Sequence, residues 1–143
     1  MESLDYLVLV GFLLLLVVIV ATILLSGKKM PEEQGKKEII RVRCGGRFGW
    51  LSAKYPVAAV SLYDGFLVLG HLKKYRIEYD EITDIYEKRH GLSTGIHIVH
   101  TSQDVPSRII LWIFAEKQRR RLIEVVESKR KNAEATSEKM INK

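Results

Sequence analysis

Cationic side chains interleaved with aromatic ones are the residues of this sequence best suited to binding chemistry. They lie on the first predicted strand and in the loop after it: Arg41, Arg43, Arg47, Phe48, Trp50 and Lys54. Aromatic rings favour the headgroup level of a bilayer, and cations are attracted to anionic lipids. The group therefore predicts a contact with an anionic membrane surface. The alternative is a solvated strand face with two core aromatics, and the tendency of apolar side chains to pack inward favours that alternative.

A second cationic group follows further along the chain. Its members are His71, Lys73, Lys74 and Arg76, with Lys88 and Arg89 as further candidates. Such a group could dock an acidic partner, although most groups of this kind are ordinary solvated surface.

The residue types that carry catalysis or bind metals form no recognisable motif. His97 and His100 are three positions apart in one predicted strand, and this odd spacing should point them to opposite faces. Cys44 is the only cysteine, which excludes an intrachain disulfide, and its inward position predicts a small core residue. No zinc-binding, nucleophile or phosphate-loop pattern occurs. We therefore expect a protein that is not an enzyme and has no metal or cofactor.

The N-terminal segment is apolar over a length that suits a membrane. Residues Tyr6 to Leu25 contain no charge, and as a helix they would reach ~30 Å, the thickness of the hydrocarbon core. A cleaved signal peptide would have a basic start and a shorter apolar run, whereas this chain begins with Glu2 and Asp5. Residues 1–27 are therefore predicted to be an uncleaved transmembrane anchor.

The charges beside this segment predict its orientation. All Lys and Arg residues come after position 27, and four lysines follow the apolar run closely: Lys28, Lys29, Lys36 and Lys37. The side richer in Lys and Arg stays cytoplasmic, so we expect the N-terminus outside and the rest inside a plasma or inner membrane. The four lysines could also attract anionic headgroups, or act only as a topology signal.

The remaining chain divides by composition into three parts. Residues 28–37 contain Gly, Pro and mixed charge without a hydrophobic period, which predicts a flexible linker. Residues 38–131 show short alternating segments and one amphipathic stretch, which predicts a folded domain. Residues 132–143 have little hydrophobic content and are expected to be a disordered tail.

The domain is predicted to contain seven strands and one helix. Asp64-Gly65 is the strongest hairpin signal, because Gly tolerates the positive φ of tight turns. The predicted helix covers residues 115–131, with an apolar stripe that must cover a sheet. The predicted strands are Ile39–Cys44, Val57–Tyr63, Phe66–Gly70, Lys74–Tyr79, Ile82–Lys88, Gly95–His100 and Ser107–Phe114.

Several segments of this domain resemble bacterial PH-like and GRAM-like domains. The resemblance rests on YPVAAVSLYDGFLVLG, IEYDEITDIYEK with Tyr79, Ile82 and Ile85, and IILWIF before the helix. It implies a mainly β fold: a seven-stranded open barrel capped by a C-terminal helix, behind the N-terminal transmembrane helix. The second strand, VAAVSLY, has no basic residue where phosphoinositide-binding PH domains place them. A smaller OB-like or SH3-like barrel is the alternative, but such barrels have five strands and no long closing helix.

These features lead to one functional expectation and two alternatives. The first is a membrane-anchored, non-catalytic interaction module that binds a protein or anionic lipid at the cytoplasmic face. The second is a small structural subunit of a membrane protein complex, in which the apolar helix is the main contact. Nucleic-acid binding rests on basic charge alone and is not expected, because the anchor would hold the domain at the membrane.

Overall fold

A computed structural model describes residues 3–26, 29–71 and 73–141, which form two helices and seven strands. The helices are α1 (Ser3–Ser26) and α2 (Glu116–Ile141), and short 3₁₀ helices occur at Pro31–Glu33 and Tyr79–Glu81. The strands are β1 (Ile40–Phe48), β2 (Leu51–Leu62), β3 (Phe66–Gly70), β4 (Lys74–Glu78), β5 (Ile82–His90), β6 (Ser93–His100) and β7 (Ile109–Trp112).

The strands form one antiparallel sheet in the order β4-β3-β2-β1-β7-β6-β5. The sheet curls into a half-barrel, and its two halves meet where β7 pairs with β1. Alternate residues of each strand point inward and join one apolar core. Leu122 and Val126 of α2 are part of that core, so the amphipathic helix covers the curled sheet as the sequence predicts.

The first hairpin is longer than the sequence predicts. The segment 45–56, expected to be a loop, consists mostly of the end of β1 and the start of β2. The two strands turn at Gly49, whose φ of 65° favours glycine. Phe48 and Ala53 alternate inward on either side of this turn, and their burial holds the two strands together. The expectation of a loop was therefore wrong: glycines and aromatics here extend a hairpin.

The predicted linker is also wrong for most of its length, because the segment after Met30 is docked on the sheet. Glu33 is only 2% exposed; it accepts hydrogen bonds from the Tyr63 hydroxyl (2.7 Å) and the Met30 backbone N–H. Lys74 lies 3.7 Å from the same carboxylate. Met30 packs on the small outer cluster formed by Tyr63, Phe66 and Val68. We call residues 30–38 the docked segment.

The predicted C-terminal tail is likewise ordered, since α2 continues to Ile141. Ala133 packs against the core, and Lys129 forms an ion pair with Asp64 at the turn between β2 and β3. Alanine, glutamate and lysine, all good helix formers, are frequent in the last turns. Low hydrophobicity alone was therefore a poor sign of disorder at this end.

The N-terminal helix exposes apolar side chains on every side. Its large apolar residues between Tyr6 and Leu24 are 46% to 71% exposed wherever their side chains are described. Within the part of the chain that the structure describes, no helix combines the length and hydropathy that crossing a membrane requires. The helix itself is confirmed, and the membrane crossing stays a prediction.

Candidate functional site

An open groove lies on the outer face of the sheet, across β1, β7, β6 and β5. Its volume is about 530 Å³, which is within the range of small-molecule sites. Its lining combines three long cations with aromatic and imidazole rings and a few apolar side chains. The lining residues are Arg47, Tyr86, Lys88, His90, His97, Ile98, Val99, Ser107, Arg108, Ile109, Ile110 and Trp112.

The strand register brings these residues together from distant parts of the sequence. Arg47 pairs with Ile110, Ile110 with His97, and His97 with Tyr86. Because directly paired residues point to the same face, these four side chains form one row across the sheet. Ile110 is buried but lies outside the main core cluster, as expected for a residue on the outer face.

Stacked rings form the centre of the groove. The Tyr86 and His97 rings lie 5.2 Å apart and are nearly parallel, and the His90 ring stacks on His97 at 5.0 Å. The Nε2 atoms of His90 and His97 are 2.7 Å apart, so one imidazole donates a hydrogen bond to the other. The Trp112 indole meets His90 edge-on at 6.5 Å. This packing gives the groove a firm floor with polar ring nitrogens.

Gly95 provides the space for this arrangement. A Cβ atom at Gly95 would lie 2.7 Å from Cγ2 of Ile110 and 3.4 Å from both the His90 ring and Nε1 of Trp112. A side chain there would clash with Ile110, which lies in the same row as Arg47 and His97. The groove therefore depends on a glycine in the middle of β6.

The charge of the groove is uniformly positive among its described lining residues. Arg47, Lys88 and Arg108 line it, and no Asp or Glu does. The β1–β2 turn contacts two of these residues: the Arg47 Nε donates to the Gly49 carbonyl (3.3 Å), and the Gly49 N–H donates to the backbone carbonyl of Arg108 (2.8 Å). Two guanidinium groups and one ammonium group thus line the groove, and the charges of Lys88 and Arg108 both act on His97.

The electrostatic environment also affects His97. Burial lowers the pKa of His97 below its ordinary value, and the nearby positive charges of His90, Lys88 and Arg108 lower it further. Burial and these neighbouring charges therefore disfavour an added proton on the His97 ring. An anion in the groove would offset that repulsion.

The tip of the first hairpin separates the two aromatic residues that the sequence analysis grouped together. Phe48 is 1% exposed and lies 6.0 Å from the Tyr75 ring, whereas Trp50 is 86% exposed. One aromatic belongs to the core and the other is exposed, so the alternative with two core aromatics was wrong, and the membrane contact stays a prediction. Lys54 is exposed near this tip, on β2.

The other predicted cations have mixed fates. Arg43 is exposed but outside the groove, and Arg41 lies near Glu38 (3.9 Å). In the second group, Lys73 is exposed over the Tyr75 ring. Lys74 and Arg76 instead serve structure; their partners are Glu33 for Lys74, and Glu78 and the Phe66 ring for Arg76. The docking of an acidic partner by this second group stays a prediction.

The juxtamembrane lysines are only partly described. Lys29, Lys36 and Lys37 are exposed, and Lys28 lies outside the described residues. Exposure leaves the three described lysines accessible to anionic headgroups.

The pair formed by His90 and His97 is the feature that sequence reasoning missed. His97 and His100 do lie on opposite faces, as predicted, and His100 bonds instead to the Pro106 carbonyl (3.0 Å). The missed signal was the turn at Gly91, which follows His90 and has a φ of 59°. A hairpin centred there places both histidines on the outer face, seven residues apart.

Metal-binding and thiol chemistry find no support in the described part of the chain. No group of three or more His, Cys, Asp or Glu side chains is arranged there to hold a metal ion. Cys44 is fully buried, and burial raises its pKa to about 12. Its predicted role as a small core residue is confirmed.

Comparisons with solved structures define the fold class. A C-terminal domain of an unknown protein from Leishmania infantum is similar at a TM-score of 0.55 and 19% identity, over 70% of this chain and 89% of that one. The Vps36 N-terminal PH domain is similar at a TM-score of 0.54 and 14% identity, over 77% of this chain and 89% of that one. A chain in the structure of human RhoA in complex with the DH/PH fragment of PDZRHOGEF is similar at a TM-score of 0.51 and 18% identity, over 76% of this chain and 35% of that one.

The fold is therefore PH-like, as the resemblance in the sequence implied. Seven strands and a closing helix exclude the smaller five-stranded barrel. No protein-family model matches the sequence, and no curated protein matches it. The likeness to solved structures thus defines the fold alone.

Proposed function

We propose that this protein is a membrane-anchored, non-catalytic interaction module that meets an anionic bilayer surface at the cytoplasmic face. The observation that carries the proposal is the combination of two surfaces in one small chain. One is the apolar surface of α1, exposed on all sides. The other is the acid-free cationic groove with Trp50 beside it.

The proposal for the anchor rests on the cost of leaving α1 in water. Exposed apolar patches beyond a few hundred Å² are rare on soluble monomers and mark interaction surfaces. At roughly −0.3 to −0.6 kcal/mol for each Leu, Ile, Phe or Val at a helix centre, lipid would stabilise this helix by several kcal/mol. The charge bias, with lysines only after the helix, supports a cytoplasmic domain.

The docked segment keeps the domain close to the anchor. The chain from Ser26 to Met30 can span at most ~14 Å even when fully extended. Met30 is already packed on the outer side of the sheet. A module held this close meets lipid at high effective concentration, on the order of millimolar, so a weak surface affinity is sufficient.

The β1–β2 turn supplies the chemistry for such a surface contact. Trp50 offers an exposed indole suited to the headgroup level, and Arg47 and Lys54 flank it with positive charge. Each cation near an anionic surface contributes ~1 kcal/mol. The absence of any recognised arrangement of nucleophile and base in the sequence supports a binding role over catalysis.

The test uses the full chain in nanodiscs of phosphatidylcholine, with and without phosphatidylserine, and a headgroup spin label. We expect the label to broaden the Trp50 indole resonance more strongly when phosphatidylserine is present. Substituting Arg47 and Lys54 by Gln should remove the difference. Substituting Lys117 and Arg121 by Gln, an equal loss of charge at two exposed positions on α2, should leave it unchanged.

Two results would contradict the proposal. One is an indole signal that does not respond to lipid charge; the other is an equal effect of the α2 variant. A separate experiment replaces Tyr6 to Leu25 with an unrelated apolar helix. Binding that survives the replacement supports an interaction module, whereas loss of all function would favour a structural subunit whose helix is the main contact.

A further inference from the structure

We propose that the cationic groove binds a phosphate monoester, a phosphate with one organic substituent and up to two negative charges. This inference rests on the proposed function, because it names the ligand of the surface that faces the phospholipid. The proposed binding site lies on the outer face of β1, β7, β6 and β5. Three features of the groove suit such a ligand: its charge, its ring nitrogens and its dimensions.

The charge of the groove suits a dianion better than a single negative charge. Arg47 on β1, Arg108 directly before β7 and Lys88 on β5 all line the groove. One guanidinium group can donate two parallel hydrogen bonds to phosphate oxygens, whereas an ammonium group acts as a point charge. A phosphate monoester carries about −1.5 to −2 near neutral pH. A diester, with one negative charge, would leave more of the cationic repulsion uncompensated.

The imidazole pair adds a second reason to prefer the monoester. In the hydrogen-bonded pair of His90 and His97, a single added proton can be held without loss of the Nε2–Nε2 bond, because one ring still accepts. A dianion beside the rings favours that added proton. The groove can therefore increase its own positive charge when a doubly charged ligand enters.

The dimensions leave room for more than the phosphate itself. The volume of about 530 Å³ is of the order occupied by small molecules in their sites. Val99, which is 41% exposed, adds apolar surface to the lining. The ligand that fits this lining is a phosphate with a small attached group, from either a lipid headgroup or a soluble phosphate ester.

The first experiment follows the indole N–H resonance of Trp112 in the full chain, held in phosphatidylcholine nanodiscs. Inorganic phosphate is the probe, and sodium chloride at matched ionic strength is the reference. The chain has only two tryptophans, so the Trp50 and Trp112 signals can be separated with a Trp50→Phe variant. We expect phosphate to shift the Trp112 signal saturably, with chloride having no such effect.

Single substitutions then test the assigned contacts. Arg108→Gln and Lys88→Gln each remove a charge-assisted contact at an exposed side chain, which should weaken phosphate binding about tenfold to a hundredfold. Arg43→Gln is the matched control, since Arg43 is exposed on the same sheet but does not line the groove. Equal weakening by all three, or a Trp112 signal that follows chloride as well as phosphate, would overturn the proposal.

The second experiment separates the sources of the phosphate and the two proposals. Nanodiscs with phosphatidic acid present a monoester, and those with phosphatidylserine present a diester. A Trp112 shift with phosphatidic acid alone supports a lipid ligand. A shift with free phosphate and with neither lipid supports a soluble ester. An equal shift with both lipids overturns the selectivity for monoesters.

The Trp50 signal reports on the proposed function in the same spectra. If it ignores lipid charge while Trp112 binds phosphate, the surface contact fails and the groove assignment stands. If it responds while Trp112 does not, the reverse holds. Tighter binding of a single-stranded oligonucleotide than of phosphate, with steep salt dependence, would overturn the assignment in favour of nucleic acid.

Discussion

The docked segment should open more easily when one charge is removed, because a single buried carboxylate holds it to the sheet. Glu33 accepts hydrogen bonds from Tyr63 and the Met30 N–H and faces the Lys74 ammonium at 3.7 Å. Burial lowers the pKa of Lys74, and the charge of Glu33 opposes that effect. Glu33→Gln keeps the shape but removes the charge from all three interactions.

The expected cost follows from those contacts. Hydrogen bonds to a charged group are worth ~1.5–3 kcal/mol, and Gln can still accept one neutral bond. We therefore expect the docked segment to open more easily by about 2 kcal/mol, a roughly thirtyfold increase in the open population. Most of the core residues lie elsewhere, so global unfolding should change less.

Native-state hydrogen exchange is the suitable assay. The Ile39 N–H donates to the Leu62 carbonyl (2.8 Å) and the Lys36 N–H to the Glu33 carbonyl, so both amides should lose protection in Glu33→Gln. Glu32→Gln is the matched control, because Glu32 is the exposed neighbour. Equal protection of the Ile39 amide in the two variants would refute the role assigned to Glu33.

Three further predictions test the core, the groove and the imidazole pair. The Cys44 thiol, buried with a pKa of about 12, should not react with a disulfide reagent until the chain unfolds; rapid reaction in the native state would show an open sheet. Gly95→Ala should lower the free energy of unfolding by ~1–3 kcal/mol and shift the Ile110 methyl resonances. An unchanged urea midpoint would contradict the close packing of Gly95 on Ile110. Because the pKa of His97 is lowered in the folded protein, the unfolded chain takes up its proton first as the pH falls below 6.5. The free energy of unfolding should therefore decrease from that pH down to the folded pKa. The urea midpoint should decrease with it, and His97→Gln should reduce this slope. A urea midpoint of the unsubstituted protein that does not change with pH would contradict the prediction.

The fold was predictable where local signals agreed with one another. Phe66–Gly70 has the predicted bounds, because Asp64-Gly65 marks the turn before it and the apolar run is short. The alternation after Lys74 likewise places Tyr75 and Ile77 inward. Such elements need only neighbours in sequence to be recognised.

The groove and the docked segment could not be predicted in the same way. Arg47 and Tyr86 share a row only because β7 and β6 lie between their strands, and that pairing is non-local. His90 and His97 meet through the register of a hairpin, which the period of either strand alone does not specify. Glu33 lies in a polar stretch with no period, and its burial depends on Tyr63, thirty residues away.

Membrane anchoring, with the barrel inside, is the claim on which the proposed function depends most. The direct measurement is alkaline extraction of membranes from cells that make the full chain, combined with an impermeant amine reagent added to intact cells. We expect the protein to stay in the membrane pellet and the lysines of the barrel to be labelled only after the cells are opened. Release into the alkaline supernatant, or labelling of those lysines in intact cells, would contradict the account.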